Sequence, residues 1–284
     1  MNKFLFHVTA SGFYTALCLA TLSLSTDVIL LKKAPDWPYF SFLFFTTFLY
    51  YNLHKITWFG HYRMFQKNNF KYLWPAQYPG VLMLCLIIGF AGSAALISFG
   101  LNNPLKIILG FLAALLSLLY NQKILGIHLR SLKGLKAFTI GMVAVITGVL
   151  IPATDQLYQG ISTLFLLLFS LSQLFFISAL CIAADIRDVE EDKEDGIKTI
   201  PVAAGLPFSK NTIVLLLTIQ LTFLFILFNL SYINIAQLEA FVAISLFCIL
   251  FIRQLQPKNS YFYFIIGIDG CIAGQALSLF LGSS

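Results

Sequence analysis

Nine long stretches of this chain are apolar almost throughout, near 8-31, 38-58, 79-99, 104-120, 135-153, 161-184, 211-230, 235-252 and 261-282. A helix needs roughly 20 such residues to cross a hydrocarbon core, so each run reads as a membrane span. The runs are continuous rather than alternating apolar and polar, which excludes a strand-built barrel. Little sequence remains between them: of 284 residues, 59% are hydrophobic and 11% charged. The expected fold is therefore all-α, a polytopic membrane helix bundle of about nine transmembrane helices. It forms a single transmembrane domain, 1-284, with no room for a separate soluble one. The first run follows a lone Lys3 and exceeds the apolar core of a signal peptide, so it reads as an uncleaved span.

Lys and Arg fall almost wholly on one side of these spans. Lys3, Arg63, Lys67, Lys71, Lys123, Arg130, Lys133, Lys136, Arg187, Lys193, Lys198, Lys210, Arg253 and Lys258 share it, while Lys32, Lys33 and Lys106 lie opposite. By the positive-inside rule the basic side is cytoplasmic, which puts the protein in the cytoplasmic membrane with its N-terminus inside. The inner connections, 59-78, 121-134 and 185-210, are also the long ones, so function is expected on that face. The formal charge of +6 thus reads as orientation and lipid-headgroup contact. No basic patch is interleaved with aromatics, and no nucleic-acid partner is expected. Cys18, Cys85, Cys181, Cys248 and Cys271 are scattered singly, without the spacing of a disulfide framework or a zinc site.

Seven of the twelve acids lie between Asp185 and Asp195. If the sixth span continues as a helix, about 100° per residue brings Asp185, Asp188, Asp192 and Asp195 within a face roughly 80° wide. Carboxylates so close repel one another unless they share a cation. Mg²⁺ takes oxygen ligands from carboxylate and phosphate together, so such a stripe at a helix end suits either a diphosphate site or a solvated surface.

The string Asp185-x-x-Asp188-x-x-x-Asp192, followed by Gly196-Ile-Lys198-Thr-Ile-Pro201 and Gly205, resembles the second aspartate-rich motif of the UbiA superfamily of intramembrane prenyltransferases. The resemblance implies an all-helical, UbiA-like fold and a prenyl transfer from an isoprenyl diphosphate to a lipophilic acceptor, aromatic or lipid, with Mg²⁺ as cofactor. It implies Asp188 and Asp192 as catalytic metal ligands, with Asp185 supporting them. The family's first motif is an Asn followed by aspartates four and eight positions on; here Asn52 is kept, but those positions are Ile56 and Gly60. On a continuous helix Asn52, Lys55, Ile56 and Arg63 project within roughly 100° of arc, so Lys55 and Arg63 are candidates to neutralise diphosphate in place of the missing acids. Tyr120, Lys123, Arg130 and Lys136 correspond to a loop that brings a Tyr and basic residues near the diphosphate. With Lys193 and Lys198, they complete the expected substrate-binding set.

Asp27 and Asp269 are acids within spans, where each is expected to face the interior or a cavity. His7, His54, His61 and His128 show no metal-site pairing and read as polar interface residues. Three functions stay open at this point: a prenyltransferase, an accessory protein that keeps the fold but not turnover, and a small-solute transporter using Asp269.

Overall fold

The computed structural model describes residues 3–29, 34–57, 70–121, 134–157 and 160–282. Every regular element among them is a helix. In chain order these are α1 (Lys3–Ala10), α2 (Phe13–Ile29), α3 (Trp37–Thr57), α4 (Phe70–Gln77), α5 (Pro79–Gly100) and α6 (Pro104–Asn121). Next come α7 (Leu135–Val145), a π turn at Ile146–Leu150, α8 (Ile151–Leu157), α9 (Thr163–Arg187), α10 (Val189–Glu194), α11 (Ile200–Asn229) and α12 (Ile235–Arg253). The chain closes with α13 (Tyr261–Phe264), a π turn at Ile265–Asp269, and α14 (Gly270–Gly282). Helices long and apolar enough to span a membrane occur at Pro79–Gly100, Leu135–Asp155, Thr163–Arg187, Ile200–Asn229, Ile235–Arg253 and Phe262–Leu279. The shorter apolar helices α2 and α6, with the 21-residue α3, account for the other three runs. The all-helical, multi-pass architecture agrees with the sequence.

Several boundaries differ from expectation. The first run is not one helix: Gly12, at φ +79°, separates α1 from α2. The break matters for packing, because a Cβ on Gly12 would sit 3.1 Å from Tyr51 Cβ and 3.6 Å from Lys55 Nζ. The connection expected at 185-210 is largely helical, holding α10 and the first turns of α11. Pro201 starts α11 in its first turn, where a missing N–H costs nothing, and Gly205 (φ 81°, ψ 172°) then kinks it ahead of Pro207. The expected inner connection 59-78 likewise holds α4.

α9 is the central helix, with Phe169, Phe176, Ile177, Ala179, Ile182 and Ala183 all buried. Small residues let its neighbours close in: a Cβ on Gly141 of α7 would lie 2.7 Å from Ser178 Oγ. The same device joins α5 to α3. Cβ atoms on Gly92 and Gly100 would come within 2.4 Å of Phe45 and 2.2 Å of Phe42, so only glycine lets those rings lie against the α5 backbone. The outward side of α5 carries the exposed Met83, Ile87, Phe90 and Ile97, as a lipid-facing helix does.

The π turn in the fifth run follows from Pro152. Proline has no N–H for the carbonyl of Gly148 four residues earlier, and in the π turn Ile151 N–H bonds back to Ile146 O instead of to Thr147 O. Two carbonyls are thereby released in an apolar interior. Thr26 Oγ1 donates to Gly148 O at 2.7 Å, and the Tyr39 hydroxyl donates to Thr147 O. The side chains that satisfy the bulge thus also fasten α2 and α3 to it. Thr26→Val leaves the Gly148 carbonyl without its donor and is expected to cost about 1–2 kcal/mol, whereas Thr26→Ser keeps the bond. Unfolding midpoints in detergent check this, and equal midpoints for the two variants would count against it.

Candidate functional site

A cavity of about 910 Å³ runs into the bundle between α2, α3, α5, α6, α7 and α9 and the π turn before α14. Most of its wall is apolar. Its polar groups gather where α3, α7 and α9 end or begin: Lys55, Tyr120, Lys136, Asp185, Arg187, Asp188 and Glu191 line it there. On the α5–α6 side the lining includes Phe90, Ile97 and Leu118, which are 68%, 52% and 49% exposed, so the chamber opens sideways.

The acidic segment is not one continuous stripe. α9 stops at Arg187, and Asp188 takes a non-helical conformation (φ −93°, ψ 11°) before α10 begins. The expected common face of Asp185, Asp188, Asp192 and Asp195 is therefore broken. Asp195 is exposed at the end of α10, while the other three turn inward. Lys136 Nζ sits between two of them, 2.8 Å from Asp185 Oδ1 and 2.9 Å from Asp192 Oδ2. All three side chains are buried. Gly134, at φ 74°, lets the chain turn into α7 just ahead of this lysine. Asp188 is held by its neighbour: Arg187 Nε donates to Oδ1 at 2.7 Å and Nη2 to Oδ2 at 2.8 Å, a bidentate pair.

Lys55 joins the cavity lining from α3. It lies in the last turn of α3, is 8% exposed, and donates to Asn52 Oδ1 at 3.1 Å, with the Trp74 ring centroid 5.1 Å from Nζ. Asn52 in turn donates to Phe48 O at 2.8 Å and is fully buried, so it positions Lys55 rather than lining the chamber. Among the described residues no carboxylate pairs with Lys55. Ile56, one residue on, is 44% exposed and does not share the inward face expected for it. Trp74, which carries no signal in the sequence, is set by α1: its Nε1 donates to His7 Nδ1 at 3.1 Å.

Of the residues expected to bind substrate, Lys55, Tyr120 and Lys136 line the cavity with Asp185 and Asp188, whereas Asp192, expected as a metal ligand, is fully buried in its pair with Lys136 and does not line it. Lys193 and Lys198 are exposed and do not line it. Arg63, Lys123 and Arg130 lie outside the described residues, as do Gly60, His61 and His128. Asp27 is at the other end of the bundle, where its Oδ2 accepts from Asp36 N at 2.9 Å. Nearby, Lys106 pairs with Asp155 at 2.7 Å.

Carboxylates are the hard oxygen donors that Mg²⁺ takes. Here, however, Asp185 and Asp192 share an ammonium and Asp188 holds a guanidinium. No three His, Cys, Asp or Glu side chains among the described residues form a metal-holding group. The set does not make a closed cage. It suits a magnesium ion that arrives on a diphosphate and is held by one or two carboxylates together with phosphate oxygens.

The Lys136 clamp generates a stability prediction. Lys136→Met leaves two buried carboxylates facing each other, and is expected to lose about 3–5 kcal/mol in detergent unfolding. Adding Asp192→Asn to Lys136→Met removes one of the stranded charges and is expected to recover part of the loss; absence of any recovery would contradict the pairing.

The profile of the UbiA prenyltransferase family matches residues 78–266. A UbiA homologue from Archaeoglobus fulgidus solved with GPP and Mg²⁺ superposes with a TM-score of 0.68 at 14% identity, covering 98% of this chain and 99% of that one. A UbiA homologue from Aeropyrum pernix K1, in its apo form, gives 0.60 at 13% identity over 95% and 96%. A structure described as digeranylgeranylglyceryl phosphate synthase gives 0.58 at 15% identity over 100% and 99%. No curated protein matches the chain.

Proposed function

Because the chain belongs to the UbiA prenyltransferase family, we propose that it binds an isoprenyl diphosphate with the diphosphate at the Lys55–Asp188 end of the cavity, and transfers the prenyl group to a lipophilic acceptor. The observation that carries this reading is Lys55, a buried cation on the cavity wall with no carboxylate partner among the described residues. A buried ammonium is costly unless an anion completes it. In this chain it stands one position from Ile56, where the family pattern has an acid.

The chamber's chemistry suits this use. Lys55 Nζ and the Arg187 guanidinium, both in the cavity lining, attract the diphosphate and offset the charge it gains as the allylic C–O bond breaks. Lys136, already shared by Asp185 and Asp192, holds those carboxylates in place and keeps their repulsion from the anion low. Bound magnesium would add charge neutralisation at the diphosphate, with Asp188 and Asp185, which line the chamber, as its proposed holders and Asp192 behind them, supporting Asp185 through Lys136. The apolar remainder accommodates the prenyl chain and excludes water, and the Tyr51 and Phe264 rings on the wall can face a developing allylic cation. We place the polar mouth at the cytoplasmic face of the inner membrane, with the N-terminus inside, on the distribution of Lys and Arg.

A second reading, binding without turnover, is favoured by one observation: Ile56 and Gly60 supply no acids to a first metal-binding motif. The two separate in one experiment. Geranyl, farnesyl and geranylgeranyl diphosphates are titrated into purified protein in detergent, and diphosphate release is followed with a mixed pool of phenolic and lipid acceptors, with and without Mg²⁺. Expected are Mg²⁺-dependent release, its loss in Asp188→Asn, and affinity for the diphosphates about 10–100-fold weaker in Lys55→Met. Binding without release in any combination would support the accessory reading. Unchanged affinity in Lys55→Met would end the proposed role of that lysine.

A further inference from the structure

Asp269 is a carboxylate in the wall of the same cavity, carried by the last span rather than by the α9–α10 segment that holds the acidic motif. It closes the π turn Ile265–Asp269, whose extra residue shifts the phase of the last span. Thr15 of α2 donates to Asp269 Oδ2 at 2.6 Å, and both residues line the chamber. The turn is buttressed from the same helix: the Tyr14 hydroxyl donates to Ile266 O at 3.3 Å, and a Cβ on Gly270 would lie 2.8 Å from that hydroxyl. Asp269 interacts electrostatically with Tyr51, Cys181 and Arg187. Cys181 lies four residues, about 6 Å, before Asp185 along α9 and Arg187 two residues beyond it, so Asp269 stands beside the polar cluster. An acid in a span is expensive, and this one faces a cavity.

We propose that Asp269 is the acceptor-side residue of the chamber, receiving the hydroxyl of a lipophilic alcohol or phenol and accepting its proton during prenyl transfer. This rests on the prenyl-transfer reading and narrows its acceptor class. In the step, the bond between the allylic carbon and diphosphate breaks, and both electrons leave with the diphosphate. A lone pair of the acceptor oxygen forms the new carbon–oxygen bond, and the hydroxyl proton passes to the Asp269 carboxylate. Thr15 is a positioning residue: its hydrogen bond fixes one carboxylate oxygen and so aims the group.

The test compares 4-dodecylphenol with its methyl ether, which has the same bulk but no proton to give. Binding of each is measured in detergent for the wild type, Asp269→Ala, Asp269→Asn and Thr15→Val, and geranyl diphosphate affinity is measured alongside as the control for folding. Wild type is expected to prefer the phenol by about tenfold, and Asp269→Ala to lose that preference while geranyl diphosphate affinity is retained. Asp269→Asn can still accept the hydrogen bond but cannot take up the proton. It is expected to bind the phenol within about threefold of wild type while transfer from geranyl diphosphate falls by about 10²–10⁴-fold. Thr15→Val is expected to weaken phenol binding and leave geranyl diphosphate binding unchanged. An equal preference in Asp269→Ala and wild type, no preference in wild type, or near-normal transfer in Asp269→Asn would overturn the proposal. Failure of wild type to bind geranyl diphosphate would instead overturn the prenyl-transfer reading, and the phenol–ether comparison would still decide whether Asp269 receives a hydroxyl.

Discussion

One ammonium group ties the polar end of this bundle together. Lys136 lies at the start of α7, Asp185 near the end of α9, and Asp192 in α10, and the three side chains meet in the interior at 2.8 and 2.9 Å. Two carboxylates at that separation repel strongly away from water, and the shared cation turns the repulsion into a clasp. Its geometry depends on the break at Asp188. A helix running straight through 185–192 would keep the two acids on one line along a single face. The interruption separates α10, with Asp192, from α9, and leaves Asp188 beside Arg187 on the cavity wall.

Backbone irregularity is the means by which this bundle places its chemistry. The π turn before Pro152 draws Thr26 and Tyr39 onto freed carbonyls and locks α2 and α3 against α7. The second π turn presents Asp269 to the chamber beside Thr15. At Gly12 a left-handed residue brings the junction of α1 and α2 close to Lys55 and Tyr51. Each departure from regular helix lies next to a polar side chain that would otherwise be stranded in hydrocarbon, because irregular backbone at membrane depth must be satisfied by protein.

The helices themselves were legible in the sequence, since length and hydropathy decide whether a segment can span hydrocarbon and each of the nine apolar runs is built of helix where it is described, the first of them broken at Gly12. The acidic motif was legible too, and it led to the family that the profile over residues 78–266 identifies. What periodicity misjudged were the interruptions. Extending one helix through Asp188 placed Asp195 on the inner face, where the structure exposes it; Ile56, still within α3, falls on the outward side of that helix because an arc of roughly 100° is wide enough to reach past the buried face that Lys55 occupies. Lys136 was readable as a basic residue near the site, but its double pairing was not, because Asp185 and Asp192 lie about fifty residues away and are brought to it only by packing. Trp74 left no trace in the sequence: its place over Lys55 depends on a hydrogen bond to His7, sixty-seven positions earlier.

The sideways opening past Phe90, Ile97 and Leu118 bears on how such a chamber meets its ligands. A pocket facing the cytosol samples what is dissolved in water. A chamber whose wall parts toward hydrocarbon samples a two-dimensional solution, in which long-chain molecules are already concentrated and partly oriented. Occupancy then follows the mole fraction of ligand among the surrounding lipids, and diluting the bilayer with inert lipid acts on it as adding buffer acts on a soluble enzyme. Bilayer composition thereby becomes a concentration variable for this protein.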